Sequence, residues 1–201
     1  FKEKYTIESS ALVPPATVGY VHRLDRDTSG VLVFAKHASA YEFLRKAFHD
    51  REVNKDYGAF VYGAPKKKSG TINFDIGRSR SDFRLRSAQP RAKGQLRDAL
   101  THYEVLAETG GYSLMKMTPE TGRTHQIRVH LKAIHHPIVG DALYSPNHPA
   151  ALGINRLGLH AYALDLPLPS GEHVHIIAPI PADLAPAFSH FPGMNEKFAL
   201  S

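Results

Sequence analysis

The sequence contains no cysteine among its 201 residues. Disulfide cross-links, thiolate nucleophiles and cysteine-ligated zinc are therefore excluded, which fits a reducing compartment. The sequence also has no apolar run near the roughly 20 residues that a helix needs to span a bilayer, and no segment typical of a secretory signal peptide. We therefore expect a cytoplasmic protein without a membrane-spanning segment.

Acidic residues are fewer than basic ones. Nineteen Asp and Glu stand against 25 Lys and Arg, which gives a formal net charge of +6 and a pI of about 9.5. Ten of the basic residues, against two acidic ones, fall within residues 66–97. A basic surface suits a polyanionic partner, most simply a nucleic acid. We expect residues 66–98 to form a basic hairpin or loop segment, in which 88–98 is a mobile loop.

The chain has a size and an apolar fraction of 42% that suit one domain over residues 1–201. Residues 1–19 read as irregular because two prolines and a glycine interrupt them. Hydrophobic periodicity predicts helices at 38–51, 124–134 and 181–191, and strands at 30–36, 53–62, 71–76, 100–106, 112–117, 157–166 and 173–178. Strands outnumber helices and do not alternate with them regularly, which indicates an α+β fold with a mixed sheet.

One stretch combines a charged motif with an apolar run. The motif is His22-Arg23-Leu24-Asp25-Arg26-Asp27-Thr28-Ser29-Gly30, and Val31-Leu32-Val33-Phe34-Ala35 follows it as a predicted buried strand. Charged residues that lead into a core strand are costly unless they are paired or used. The alternative is a solvated loop in which Asp27 and Ser29 shape a turn.

Three further motifs follow in order: Lys55-Asp56-Tyr57, then Gly122-Arg123-Thr124-His125-Gln126-Ile127-Arg128 leading into His136-Pro137-Ile138-Val139-Gly140-Asp141, and last Arg156 with Leu159-His160-Ala161. Together with the first motif they resemble RNA pseudouridine synthases of the RluA type. The resemblance implies a mixed, largely antiparallel central sheet with flanking helices and a catalytic cleft across its middle. It also implies isomerisation of uridine to pseudouridine in ribosomal or transfer RNA, without a cofactor.

The resemblance also assigns residue roles. It makes Asp25 the nucleophile and Arg123 its ionic partner, and it gives Tyr57 the tasks of stacking on the uracil and handling the C5 proton. Arg23 would enter the space that the flipped base leaves. We expect phosphate contacts from the remaining cations, which are Lys55, Arg128, Lys66, Lys67 and Lys68.

These roles make physical sense without the family name. A carboxylate can act as a nucleophile, but in a partly dry cleft it stays ionised only beside a cation. Arginine keeps its charge when buried and pairs with a carboxylate through two hydrogen bonds. The alternatives are a phosphate-binding arginine at a helix start for Arg123, a core strand tyrosine for Tyr57, and an ion pair with Asp27 for Arg23.

Thirteen histidines raise the question of a metal site. His125 and His130 are five residues apart, which does not place two ligands on one helical face, and no acidic residue completes a known metal pattern. We expect no metal. Two other functional classes remain open: an inactive RNA-binding module of the same fold, and a metal-dependent hydrolase.

The chain begins with Phe1 and lacks the Lys-Pro-x-Gly segment that usually precedes the first motif of the family. We therefore expect that the sequence is truncated at its start. We expect a monomer whose partner is RNA.

Overall fold

The computed structural model describes residues 19–80, 82–88, 90, 92–194 and 198. The prediction that residues 1–19 are irregular thus falls almost wholly outside the described residues. The described helices are α1 (Ala38–His49), α2 (Gln126–Ala133) and α3 (Ala185–Phe188). The described strands are β1 (Ser29–Gly30), β2 (Asn54–Tyr62), β3 (Ser69–Asn73), β4 (Ile76–Ser79), β5 (Arg86–Ala88), β6 (Ala92–Arg97), β7 (Leu100–Thr109), β8 (Tyr112–Pro119), β9 (Leu159–Pro167) and β10 (His173–Ile177).

Seven of these strands form the central sheet, in the order β1-β9-β2-β8-β7-β3 with β10 paired to β9. Only the short β1 runs parallel to its neighbour, and the other pairings are antiparallel. The predicted α+β class with a mixed, largely antiparallel sheet is therefore confirmed. A second sheet of three strands, in the order β5-β4-β6, stands beside it.

Both faces of the central sheet are covered. On one face Phe60 and Leu114 pack with the C-terminal aromatics Phe188 and Phe191, and on the other face side chains of β2, β8 and β9 pack on α2 through Leu131. Strands buried on two faces need apolar residues at successive positions rather than at alternate ones. Accordingly, residues 159–164 of β9 are all buried.

The run 31–35 was predicted to belong to a strand at 30–36, but it does not form a regular strand. Only Ser29–Gly30 forms a ladder, and the next amide groups bond separately: Val31 N–H to the Ala161 carbonyl, Val33 N–H to His22 Nε2, and Ala35 N–H to the Gly19 carbonyl. Val31 and Ala35 are nevertheless buried against α1. The prediction of a buried run is thus correct only in part, because Leu32 is 38% exposed, and the backbone pairing depended on distant partners.

The predicted loop at 88–98 was also wrong. Residues 92–97 form β6, which pairs with β4, because the neighbouring strand supplies hydrogen-bond partners that local composition does not show. The predicted helix 181–191 contracts to Ala185–Phe188, and the predicted helix 124–134 begins at Gln126. No helix of the described residues is long and apolar enough to cross a membrane.

Candidate active site

A cleft of about 660 Å³ opens beside the start of β2. Its walls come from the loop before β1, from α1, from the first residues of β2, and from the segment that joins β8 to α2. Six of the nine predicted site residues line it: Arg23, Asp25, Lys55, Tyr57, Arg123 and Arg128. Residues that are up to 105 positions apart in the sequence thus meet in one cavity, whose volume suits a small-molecule-sized group such as a nucleotide.

The loop that carries Asp25 is fixed at its end by β9. Ser29 and Gly30 pair in parallel with His160 and Ala161, and the Ser29 hydroxyl lies 2.9 Å from His160 Nδ1. Gly30 has a φ of +126°, and a Cβ built there would overlap the Ala161 carbonyl. Only glycine satisfies both conditions without strain. The Leu-His-Ala motif therefore serves to hold the Asp25 loop.

Arg156 holds the same loop from another side. Its Nη2 donates a hydrogen bond of 2.8 Å to the carbonyl oxygen of Asp27, while its Nη1 pairs with Asp183 at 3.1 Å. The late arginine of the fourth motif thus contacts the backbone of the first motif, two residues beyond Asp25.

His22 anchors the beginning of the loop. Its Nε2 accepts a 3.0 Å hydrogen bond from the Val33 amide, and its ring stacks on Phe48 of α1 with 4.7 Å between centroids. Burial, with a smaller contribution from the Lys55 charge, lowers the pKa of His22 to about 4. The imidazole is therefore neutral, with its proton on Nδ1, and acts as a structural acceptor.

The cation beside Asp25 is Arg128, where the sequence predicted Arg123. Arg128 Nη1 lies 3.5 Å from Asp25 Oδ2, and the two side chains are 4% and 16% exposed. The helix α2 begins only at Gln126, because His125 adopts a left-handed conformation with a φ of +57°. This start places Arg128 in the first turn of the helix, facing the Asp25 loop. The predicted phosphate contact of Arg128 is not compatible with its burial.

A second carboxylate holds Arg128 from behind. Asp141 accepts hydrogen bonds from Arg128 Nε at 2.8 Å and from Nη2 at 2.7 Å. It also accepts from the amides of Leu143 and Tyr144, both at 3.0 Å. Burial opposes the charge on Arg128, but the hydrogen bonds and charge of Asp141 outweigh it, so that the pKa of Arg128 is raised. The arginine is therefore a fixed, permanent positive charge.

Tyr144 continues this network. Its ring lies 5.0 Å from the Arg128 guanidinium carbon, and its hydroxyl accepts a hydrogen bond from the Arg86 amide and lies 2.9 Å from His125 Nδ1. Burial raises the pKa of Tyr144 to about 12 and lowers that of His125. The neutral tyrosine hydroxyl can thus donate a hydrogen bond to the neutral His125 ring.

Arg123 lies at the rim of the cleft. It is 30% exposed, and it bonds to Asp98 through Nε to the carbonyl oxygen and through Nη2 to Oδ1, both at 2.9 Å. Arg51 contacts the same carboxylate at 3.3 Å. The structure thus places Arg123 in an exposed ion-pair cluster instead of beside Asp25.

Tyr57 lies on β2 at the position where the register with β9 shifts by one residue. A β-bulge of this kind redirects a side chain. Burial, with a smaller contribution from the Asp25 charge, raises the pKa of Tyr57 to about 12. Its hydroxyl is therefore protonated throughout the physiological range, and it shares the cleft with Asp25.

The remaining predicted cations divide into two groups. Arg23 is exposed at the cleft, and Lys55 lies inside it with a pKa lowered by burial and by the charge of Arg51. The run Lys66-Lys67-Lys68 lies away from the cleft. The Lys68 carbonyl accepts a hydrogen bond from the amide of Val105 in β7. Val105 is five residues along the strand from Leu100, whose amide bonds to the cleft residue Thr121. At about 3.4 Å per residue, that is roughly 17 Å from the cleft.

Sequence reasoning missed three residues of the site. Asp141 and His22 lay inside recognised motifs without a role, and Tyr144 lay outside the motifs and outside every predicted helix and strand. A signal existed for Asp141, because a buried arginine requires a carboxylate and Gly140-Asp141 ends an apolar run. The described residues contain no group of three or more His, Asp or Glu side chains that could hold a metal ion.

Comparison with known proteins identifies the family of this chain. The family model of RNA pseudouridylate synthases matches residues 2–133. An uncharacterized RNA pseudouridine synthase of Chloroflexus aurantiacus is 48% identical over 167 residues, which are 83% of this chain and 51% of that protein. The ribosomal large subunit pseudouridine synthase D of Borreliella burgdorferi is 38% identical over 178 residues, 89% of this chain and 53% of that protein. The chain thus spans about half the length of these curated relatives.

Solved structures give the same result. Human RNA pseudouridylate synthase domain containing 1 superposes with a TM-score of 0.72 at 31% identity, over 81% of this chain and 69% of that one. Human RNA pseudouridylate synthase domain containing 4 superposes with a TM-score of 0.70 at 27% identity, over 86% and 75%. The sequence match over residues 2–133, the identities and the shared fold all lead to one assignment: the chain belongs to the RNA pseudouridine synthase family.

Proposed function

We propose that this chain isomerises specific uridines to pseudouridine in structured RNA, with Asp25 as the nucleophile. The observation that carries the proposal is the pairing of Asp25 with the buried Arg128 in a cleft that also holds Tyr57. A carboxylate that lies against a fixed cation and opens to a nucleotide-sized cavity is equipped for nucleophilic attack.

The reaction breaks the bond between N1 of uracil and C1′ of the ribose, and forms a bond between C5 and C1′. The C5 proton leaves and N1 gains a proton, so that the overall change is an isomerisation that needs no redox or group-transfer cofactor. Asp25 supplies the electron pair, by attack on C6 of the base or on C1′ of the ribose. Arg128 aligns the carboxylate and places a fixed positive charge beside it.

Tyr57 holds the base during this rearrangement. Stacking of a base on an aromatic ring is worth roughly 1–3 kcal/mol, which helps to retain a detached uracil. Because its pKa is raised to about 12, the hydroxyl is neutral, so it takes up the C5 proton only while it passes its own proton on, in the net transfer from C5 to N1.

The target base must leave the RNA stack to reach Asp25. Arg23 is exposed and stands two residues before Asp25 at the cleft, where it can fill the space that the base leaves. Lys55, Arg51 and Arg123 add positive charge around the opening, which suits the flanking phosphates.

Ribosomal or transfer RNA is the proposed substrate class. The name of the Borreliella relative connects that protein with the large ribosomal subunit, and the basic composition of this chain fits a folded polyanion. We further propose that a monomer carries out the reaction, since each residue named above lies in one chain.

The test is Asp25→Asn, compared with Asp27→Asn as a matched control. Both changes remove one carboxylate charge from the same loop, but Asp27 is 47% exposed and pairs with the exposed Arg26. Pseudouridine is mapped in ribosomal and transfer RNA after incubation with each protein, and RNA affinity is measured in parallel.

We expect no product with Asp25→Asn, near-normal product with Asp27→Asn, and similar RNA affinity for both. Turnover by Asp25→Asn within tenfold of the unchanged protein would exclude Asp25 as the nucleophile. An unchanged protein that binds RNA tightly but forms no pseudouridine in any RNA would instead identify an inactive RNA-binding module.

A further inference from the structure

The small sheet carries three cations side by side. Arg86 of β5 is the direct partner of Arg78 of β4, and Arg78 is the direct partner of Lys93 of β6. Directly opposed residues of antiparallel strands point to the same face, with about 5 Å between their Cβ atoms, and like charges at such positions are destabilising. No carboxylate of the described residues forms a salt bridge with any of these three residues, which we name the cationic row.

The cationic row starts one side chain away from the cleft. The amide of Arg86 bonds to the Tyr144 hydroxyl, which lies 2.9 Å from Nδ1 of the cleft residue His125. In the same strands Ile76 and Ala88, each two residues from a member of the row, pack on α2. Since side chains two apart share a face, the row extends the face that touches α2, leading from Arg86 outward to Lys93.

An exposed aromatic residue stands at the turn next to the row. Phe83, between β4 and β5, is 85% exposed, the highest exposure of any large apolar side chain of the described residues. Its neighbour Arg84 is held by Asp82 at 2.7 Å. Residues 76–97 contain seven Lys or Arg and a single acidic residue. An apolar ring in such surroundings fits a base that stacks on it while phosphates lie on the cations.

We propose that the small sheet is a second RNA-binding surface, which holds nucleotides outside the cleft: phosphates on the cationic row and an unpaired base on Phe83. The inference rests on the proposed function only in that the ligand is RNA. A folded protein keeps three like charges abreast at a cost in stability, and a polyanion that lies across them removes that cost. The surface would select RNAs that carry an unpaired nucleotide at the correct distance from the target uridine.

The position of the row also distinguishes it from the run Lys66-Lys67-Lys68. That run starts roughly 17 Å along β7 from the cleft, and Lys68 is already paired with Glu108 at 2.6 Å. Lys66 and Lys67 are exposed, and their replacement removes the same charge as replacement of Arg78 and Lys93. They therefore provide a matched control, and they also test the sequence prediction that this run binds phosphates.

The experiment compares three variants with the unchanged protein: Arg78→Gln with Lys93→Gln, Lys66→Gln with Lys67→Gln, and Phe83→Ala. Affinity for a ribosomal RNA stem-loop is measured over a series of salt concentrations, together with single-turnover pseudouridine formation at saturating RNA. Thermal unfolding reports whether each variant folds. Arg86 is left unchanged because it bonds to Tyr144, which contacts the cleft residue His125 and Arg128.

We expect the row variant to bind RNA more weakly and to lower the log–log salt slope by about 1.4, since each phosphate contact contributes roughly 0.7 on single strands. The Lys66 and Lys67 variant should change the slope by less than half of that. Phe83→Ala should weaken binding roughly 5- to 150-fold with an unchanged slope, as the loss of one stacked base predicts. Rates at saturating RNA should stay near normal, and the row variant should melt no lower than the unchanged protein.

Equal slopes for the row variant and the unchanged protein, or equal losses in the row and control variants, would overturn the proposal. If Phe83→Ala binds RNA with unchanged affinity, the proposed stacking of a base on Phe83 is wrong. These outcomes concern binding, so they remain distinct from a failure of the proposed function, in which the unchanged protein would form no pseudouridine.

Discussion

Arg128 and Asp141 form a two-point hydrogen-bonded pair that is shielded from solvent. Nε and Nη2 of the arginine meet the two carboxylate oxygens at 2.8 and 2.7 Å, and the side chain of Asp141 is fully buried. Nη1 remains for Asp25 at 3.5 Å. One guanidinium thus joins a structural carboxylate to the proposed nucleophile, and Asp141 sets the position of the cation that Asp25 meets.

The first prediction concerns Asp141→Asn. The amide keeps the size of the side chain but leaves Arg128 without its main counter-charge, and breaking a buried ion pair costs about 3–5 kcal/mol of the free energy of unfolding. A guanidinium displaced by about 1 Å would lower the rate roughly 100-fold, with little change in RNA affinity because Asp141 lies below the surface. Denaturant unfolding, RNA binding and single-turnover rates measure the three effects.

Asp98→Asn is the control for that experiment. This change removes the carboxylate that pairs with Arg123. Asp98 is 68% exposed, and exposed ion pairs contribute about 1 kcal/mol or less to the free energy of unfolding. A fully folded Asp141→Asn protein with a normal rate would show that Asp141 does not position Arg128 for the reaction.

The second prediction concerns Tyr57→Phe. The ring and its stacking remain, while the hydroxyl is lost. We expect normal RNA binding and engagement of the target base, but little released pseudouridine, because no group then handles the C5 proton. The measurement is RNA binding alongside a time course of product formation. If the phenylalanine protein is as active as the unchanged one, Tyr57 serves only as a stacking platform.

The raised pKa of Tyr57 adds a pH dependence to this prediction. A phenol with a pKa of about 12 stays neutral up to pH 10. Ionisation of Tyr57 should therefore cause no change in the activity of the unchanged protein between pH 8 and 10, which a pH–rate profile measures.

The third prediction concerns His22 and the stability of the fold. The pKa of His22 is about 4 in the folded protein and about 6.5 in the unfolded chain. Between these two values the unfolded chain binds more protons, so the free energy of unfolding falls as the pH falls from about 6.5 to 4 and levels off below. The full difference amounts to at most about 3.4 kcal/mol for this residue, at 1.36 kcal/mol per pKa unit.

His22→Gln offers the test, because the amide oxygen can accept the hydrogen bond of the Val33 amide but does not titrate. Urea unfolding at pH 7 and at pH 4.5 should show a smaller loss of stability in the variant than in the unchanged protein. The comparison is needed because burial also lowers the pKa of His130 and His160. Equal losses in both proteins would show that His22 is protonated in the folded state.

The sequence by itself determined the family, the α+β class and two of the three residues proposed for the chemistry. Asp25 and Tyr57 could be assigned because each belongs to a short motif whose order of residues carries the information. The helix α1 could be predicted because its apolar residues recur at helical spacing, and the strands β2, β7 and β8 because short apolar runs bounded by glycine turns mark them.

The tertiary structure alone decided which arginine meets Asp25. Arg123 and Arg128 belong to one motif, and their roles depend on the residue at which α2 begins and on Asp141, which only the fold brings beside Arg128. The irregular run after Gly30 and the strand β6 were likewise decided by partners far away in the chain. Hydrogen bonds and ion pairs between distant residues leave no period in the sequence, because the positions of both partners are set only when the chain has folded.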